Sequence, residues 1–200
     1  SNLTNTLTSG NSADANNVVV PQATPAPTTP AVQADPSPVE QFAYQEIDAD
    51  GDSVNDAVNI TGFNIDEGST AAIVVPPTIN ELPVVSLSNS DLPLTNFNSV
   101  TSLDLSAVTT LTSIGNNAFM NPNSDESNEV LTSVVFPAGE NIAYTIGNYA
   151  FSKCSNIAGS INLSNCTSIG EHAFQNCSSI TGSIDLSSCT SVGYYAFVLC

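Results

Sequence analysis

The stretch Ser160-Ile161-Asn162-Leu163-Ser164-Asn165-Cys166-Thr167-Ser168-Ile169-Gly170-Glu171-His172-Ala173-Phe174-Gln175-Asn176-Cys177 decides the fold, because the chain repeats it at once. The following copy carries Ile184, Leu186, Cys189, Val192, Gly193, Ala196, Phe197 and Cys200, so that Ala173-Phe174 returns as Ala196-Phe197 after 23 residues. Looser copies lie upstream, with Ile114-Gly115 before Ala118-Phe119 and Ile146-Gly147 before Ala150-Phe151. A fixed period of this length is the mark of a stacked solenoid, in which each coil buries the flank that its neighbour would expose. Each coil should supply a strand with two inward residues: Leu103/Leu105, Val134/Phe136, Ile161/Leu163 and Ile184/Leu186. Between each pair stands an outward residue: Asp104, Val135, Asn162 or Asp185. Phe119, Phe151, Phe174 and Phe197 should stack along the interior.

Working outward, residues 101–200 hold the repeats. Two of the copies are irregular: Asn121 to Glu129 inserts acidic and Asn residues, and Ala138 to Ala143 lengthens the next coil. Such insertions should loop out on one face. Residues 41–100 read as a small β-rich cap. Val58, Ile60 and Phe63 alternate with polar residues, Ile73-Val74-Val75 stops at Pro76-Pro77, and Leu82 to Leu87 forms a third apolar patch. We expect an antiparallel unit here with turns at Gly62 and Gly68. Residues 1–40 hold six of the twelve prolines, from Pro21 to Pro38, among Thr, Ala, Gln and Ser. This composition buries too little surface to offset chain entropy, and it reads as a disordered linker with polyproline character.

The motif Thr-Ser-Ile-Gly-x-x-Ala-Phe at 112–119 and 167–174, with Ala-Phe-x-x-Cys at 150–154, 173–177 and 196–200, resembles the BspA-type leucine-rich repeats of microbial surface proteins. Ile73-Val74-Val75-Pro76 and Leu82-Pro83-Val84-Val85-Ser86-Leu87 are similar to the lead-in of that family. The resemblance covers the chain beyond its tail. It implies a mostly β fold: a leucine-rich-repeat solenoid of parallel strands with an N-terminal β cap and a flexible Pro/Thr-rich tail. It also implies a non-enzymatic cell-surface or secreted protein that adheres to a host or matrix protein, or to another cell-surface protein. Two rivals stand beside this: an accessory non-catalytic domain of a larger secreted enzyme, and a purely structural spacer.

Composition narrows the function classes. The chain has nineteen Asp and Glu, one Lys (Lys153), no Arg and one His (His172), for a net charge of −18. Ser, Thr and Asn number 69. Such a chain should be repelled by nucleic acid, whose phosphates need clustered cations, and by anionic membrane surfaces. Phosphate clamps and cationic oxyanion sites have almost no candidates. No apolar run approaches the ~20 residues of a membrane span.

The outward residues Asp104, Asn162 and Asp185 are the expected ligand contacts, on a strand face otherwise lined by Ser102, Ser133, Ser160 and Ser183. Acidic groups near Asp125, Glu126 and Glu129 could steer a basic partner. Asp48, Asp50, Asp52 and Asp56 fall at positions 1, 3, 5 and 9 of a loop like those that wrap calcium, since alternate carboxylates let hard oxygens converge. Ser53 stands where such loops use Gly, and Asn59 where they use Glu, so a polar hairpin turn is the competing reading. No other cofactor is expected. The cysteines at 154, 166, 177, 189 and 200 follow the repeat period. They read as two columns of buried thiols or as disulfides between adjacent coils; a metal site would want clustered Cys-x-x-Cys. His172 shares its repeat position with Asn117, Tyr149 and Tyr195 and is expected on the open surface.

Overall fold

The computed structural model describes residues 33–120 and 127–200. The linker reading of residues 1–32, and the part of the acidic insertion at 121–126, fall outside the described residues. Residues Ala34–Cys200 form one compact unit.

The chain enters through a short 3-10 turn, Val39–Gln41. It then forms β1 (Phe42–Ile47), β2 (Ala57–Phe63), β3 (Ala71–Val74), β4 (Thr78–Ile79), β5 (Leu82–Leu87) and β6 (Val100–Asp104). The later strands are shorter: β7 (Ser113–Ile114), β8 (Ser133–Val135), β9 (Tyr144–Ile146), β10 (Ile161–Asn162), β11 (Cys166–Ile169), β12 (Ile184–Asp185) and β13 (Ser191–Val192). Two strand columns result. One runs β1-β2-β5-β7-β9-β11-β13, with β4 paired to β5 at its side. The other holds the outward residues named above, and divides into β3-β6-β8 and β10-β12. Among the strands just named every pairing between coils is parallel, and β1/β2 and β4/β5 pair antiparallel.

This corrects one expectation for residues 41–100. Only β1/β2 and β4/β5 make hairpins there, while β2, β5 and β3 already take their places in the parallel columns. Gly62 is no turn. It lies inside β2, and a Cβ built on it would sit 2.6 Å from the Thr95 side chain. It therefore belongs to the same class as Gly115, Gly147, Gly170 and Gly193. Gly68, with φ of 76°, is the turn the sequence suggests. At the edge of the tail, Ser37 is tied to β3: its N–H donates to Val74 O and its hydroxyl accepts from Val74 N–H.

Why the period is so strict is visible in the backbone. The N–H groups of Gly115, Gly147, Gly170 and Gly193 each donate to the coil before, at 2.8 Å in every case. Those of Phe119, Phe151 and Phe174 donate to the coil after, at 2.7–2.8 Å. A Cβ on Gly147 would lie 2.7 Å from Asn116 N, and one on Gly170 would lie 2.6 Å from the Gly147 carbonyl carbon. Glycine is needed here for close approach. With the coils held so near, the phenylalanines stack: Phe119–Phe151 at 5.2 Å, Phe151–Phe174 at 5.2 Å and Phe174–Phe197 at 5.3 Å, with rings within 11° of parallel. The row begins earlier than the repeat motif, since Phe63 lies 6.2 Å from Phe119 and Phe42 lies 6.3 Å from Phe63. The inward pairs behave as expected at Leu103/Leu105, Phe136 and Ile161/Leu163, all buried; Val134, Ile184 and Leu186 are half-buried.

Truncation of Phe151→Ala should cost on the order of 3–5 kcal/mol. Adding one methyl at Gly170→Ala should cost about 1–3 kcal/mol or more by overpacking. Both are read from chemical denaturation midpoints, and a near-neutral Gly170→Ala would contradict the close approach.

Candidate functional site

The strand column that carries the outward residues is the candidate binding face, exposed along most of its length. In register across it stand Asp104 and Val135 on β6 and β8, then Asn162 and Asp185 on β10 and β12. The sequence period places all four on one face; the structure registers Asp104 with Val135 and Asn162 with Asp185, and Val135 and Asn162 line one cleft. The residue type has a local duty as well. Asp104 Oδ1 accepts from Ser106 N–H at 2.8 Å, Asn162 Oδ1 from Ser164 N–H at 2.9 Å, and Asp185 Oδ1 from Ser187 N–H at 2.9 Å. Each side chain thus closes the turn that ends its own strand.

Between β8 and β10 the face opens. No strand ladder joins them, whereas β6 pairs with β8 and β10 with β12. The seam is a cleft of about 340 Å³. Val134, Val135, Phe136 and Ala138 form its apolar lining, and Ser106, Ser160 and Asn162 its polar edge. Val135 is 48% exposed, a large apolar side chain pointing outward from the strand face. The cause lies in the lengthened coil. Pro137 stands where Ser106, Ser164 and Ser187 give their N–H to the outward side chain, so no polar group is called for at Val135, and the extra residues Ala138 to Ala143 follow, exposed except for Ile142. Asn165 pins the bulge by donating to Gly139 O at 2.8 Å and Ile142 O at 2.9 Å, while Gly139 N–H donates back to Asn165 Oδ1 at 3.1 Å. The sequence marks the insertion, but the opening beside it depends on three-dimensional register and was not readable.

The acidic loop between β1 and β2 gathers three carboxylates. Oxygens of Asp48, Asp50 and Asp56 lie within 4.8 Å of one another. Asp52 does not join them; its Oδ1 accepts from Val54 N–H at 2.8 Å. Asp48 accepts from Gly51 N–H at 2.6 Å and Ser53 N–H at 2.7 Å. The Ser53 N–H chiefly holds the Asp48 carboxyl below its usual range, aided by the Gly51 and Asp52 amides, against a smaller opposing effect of desolvation. β1 and β2 flank the loop as an antiparallel pair, and three of the four expected ligands converge.

All five cysteines are free thiols. Along one column Cys154 donates to Phe119 O at 3.6 Å, Cys177 to Phe151 O at 3.1 Å and Cys200 to Phe174 O at 2.9 Å. Asn128 stands three residues before Leu131, as Cys154 stands three before Ile157. It is 5% exposed, and it donates to the same Phe119 carbonyl at 3.4 Å. It is therefore part of the interior rather than of a loop, a role its acidic neighbours in the sequence concealed. Burial pushes the thiols of Cys154 and Cys177 far up, and that of Cys166 to about 11. His172 is not on the open surface. It is half-buried, stacked 4.7 Å from Tyr149 and 5.4 Å from Tyr195. Asn117, Tyr149, His172 and Tyr195 all take left-handed backbone, φ 55–60°, so the repeat position selects for a turn rather than for a chemistry.

A family model for the BspA type leucine rich repeat region matches residues 93–200 in six copies. The chain belongs to the BspA-type leucine-rich-repeat family. Among solved structures, it is similar to a leucine-rich repeat protein from Bacteroides ovatus, at 21% identity and a TM-score of 0.51, over 80% of this chain and 41% of that one. It is also similar to the T. pallidum leucine rich repeat protein, at 20% identity and a TM-score of 0.42, over 83% of this chain and 89% of that one. A leucine rich cell surface protein from Faecalibacterium prausnitzii matches at 18% identity and a TM-score of 0.46, over 84% of this chain and 53% of that one. No curated protein matches the chain. The fold is thus a mostly β, BspA-type solenoid of parallel strands, and the family supports a scaffold for protein–protein interaction. Among the described residues no helix is long and apolar enough to cross a membrane.

In the native protein at pH 8, an aromatic disulfide reagent should modify Cys189 and Cys200 quickly. Cys154 and Cys177 should react only in denaturant, because burial keeps them both inaccessible and protonated. Mass spectrometry of the labelled peptides checks this. Equal labelling of Cys154 and Cys200 would contradict the buried column.

Proposed function

We propose that the chain is a non-catalytic binding module of a secreted or surface-exposed protein, and that it adheres to a host, matrix or cell-surface protein through its strand face. The observation that carries this reading is the outward set Asp104, half-buried, and Val135, Asn162 and Asp185, exposed, with the cleft between Val135 and Asn162. An apolar side chain beside a polar-edged hollow is what a protein ligand anchors on. The rest of the face is small and polar and gives shape without strong local affinity. The test is capture of the full chain by immobilised collagen and laminin, measured by surface plasmon resonance. Val135→Glu should weaken capture at least tenfold while leaving the melting temperature unchanged. Capture that is indifferent to Val135→Glu would move the binding site off this face.

The Asp48, Asp50 and Asp56 carboxylates support a second, independent proposal: a weak calcium site in the β1–β2 loop. Calorimetric titration with calcium should give saturable heat that Asp50→Asn removes, and Asp52→Asn should matter less because Asp52 faces Val54 N–H. Absence of heat would reduce the loop to a hairpin turn.

A further inference from the structure

Resting on the binding role just proposed, we propose that the seam between β8 and β10 receives an extended peptide segment of the form basic, any, aliphatic, any, basic, running across the strands. The central aliphatic side chain enters the cleft against Val135 and Phe136. The two cations meet Asp104 and Asp185, which stand one coil out on either side in register with Val135 and Asn162.

Three observations converge. First, the charges at Asp104 and Asp185 are not needed for the fold. The turn-closing bond each makes is made equally well by Asn162, whose Oδ1 accepts from Ser164 N–H at 2.9 Å against 2.8 and 2.9 Å for the two aspartates. A neutral amide suffices structurally, and carboxylates stand on both sides of the cleft. Second, the spacing fits. Neighbouring strands lie about 4.8 Å apart, so three steps or slightly more separate the two carboxylates, roughly 15 Å. In an extended chain residues i and i+4 point the same way about 13 Å apart, with i+2 between them on the same side. Lysine or arginine side chains span the small remainder. Third, the occupant lies outside these 200 residues. With one Lys and no Arg among them, neither residues 1–32 nor a second copy of them can supply two cations at this spacing. A net charge of −18 draws a basic segment in and repels another copy.

The test uses the full chain and three fluorescent, end-blocked peptides, measured by anisotropy at low and high salt. Their cores are Lys-Ser-Leu-Ser-Lys, Lys-Ser-Ser-Ser-Lys and Glu-Ser-Leu-Ser-Glu. The first should bind saturably, the second about tenfold more weakly, and the third not at all. Asp104→Asn combined with Asp185→Asn should weaken the first peptide about tenfold and flatten its salt dependence, with melting unchanged. Ala138→Phe, which fills the cleft from an exposed position, should abolish the preference for leucine over serine. Equal binding of the two lysine peptides would overturn the proposal in favour of unspecific charge attraction. If no peptide binds while collagen or laminin capture remains sensitive to Val135→Glu, the binding role stands and this inference fails. If both are lost, the strand face is not the site.

Discussion

The spacing between coils governs everything else in this molecule. It is set where Gly147, Gly170 and Gly193 let one backbone pass within bonding distance of the next, closer than any side chain would allow. From that approach follow the 5.2–5.3 Å stacking of the phenylalanines and the column of thiols donating to phenylalanine carbonyls. The asparagine chain follows too, in which Asn116 Oδ1 accepts from Asn148 N–H and Asn148 Oδ1 from Glu171 N–H. The left-handed residues at Tyr149, His172 and Tyr195 are the turns that bring each coil back to the same height. A solenoid built in this way needs no bulky helices, and its core is a row of rings flanked by aliphatic pairs, with Phe136 and Tyr144 stacked beside the row.

How much of this was legible depended on repetition. The inward pairs and the stacked phenylalanines could be read because four copies repeat them. Gly62 makes a similar close approach, to Thr95, and Phe63 extends the row of rings, but neither carries the Ala-Phe signature that marks the later copies. The parallel placement of β2 and β5 was hidden for the same reason, since alternation alone does not tell parallel from antiparallel pairing. At His172 the four copies carry Asn, Tyr, His and Tyr, a mixture from which neither the shared positive φ nor the stacking of the three rings is read. The row of candidate contacts was legible because it has the repeat period. The cleft within it was not, because it arises where the non-repeated stretch after Pro137 breaks the ladder. Asp52 was misplaced by a local effect, the pull of the Val54 N–H, that overrides the alternation of the loop.

The strand face changes character where the repeat is broken. A regular strand face of serines and short acidic or amide side chains offers a partner little to hold. The coil lengthened at Ala138 to Ala143 carries the exposed Val135 and the hollow beside it, and Asn165 pins the added segment through Gly139 O and Ile142 O. The charge balance then limits the partners: a chain with one basic residue meets basic surfaces on favourable terms and others on poor ones.

Amide hydrogen exchange tests the central claim, an otherwise closed strand column interrupted between β8 and β10. By the pattern in which Leu105 N–H donates to the following coil and Ile161 and Leu163 do likewise, the amides of Val134 and Phe136 face the seam. They should exchange orders of magnitude faster than those of Leu105, Ile161 and Leu163. Equal protection along the whole column would mean that the ladder is continuous, and the account of the site would be wrong.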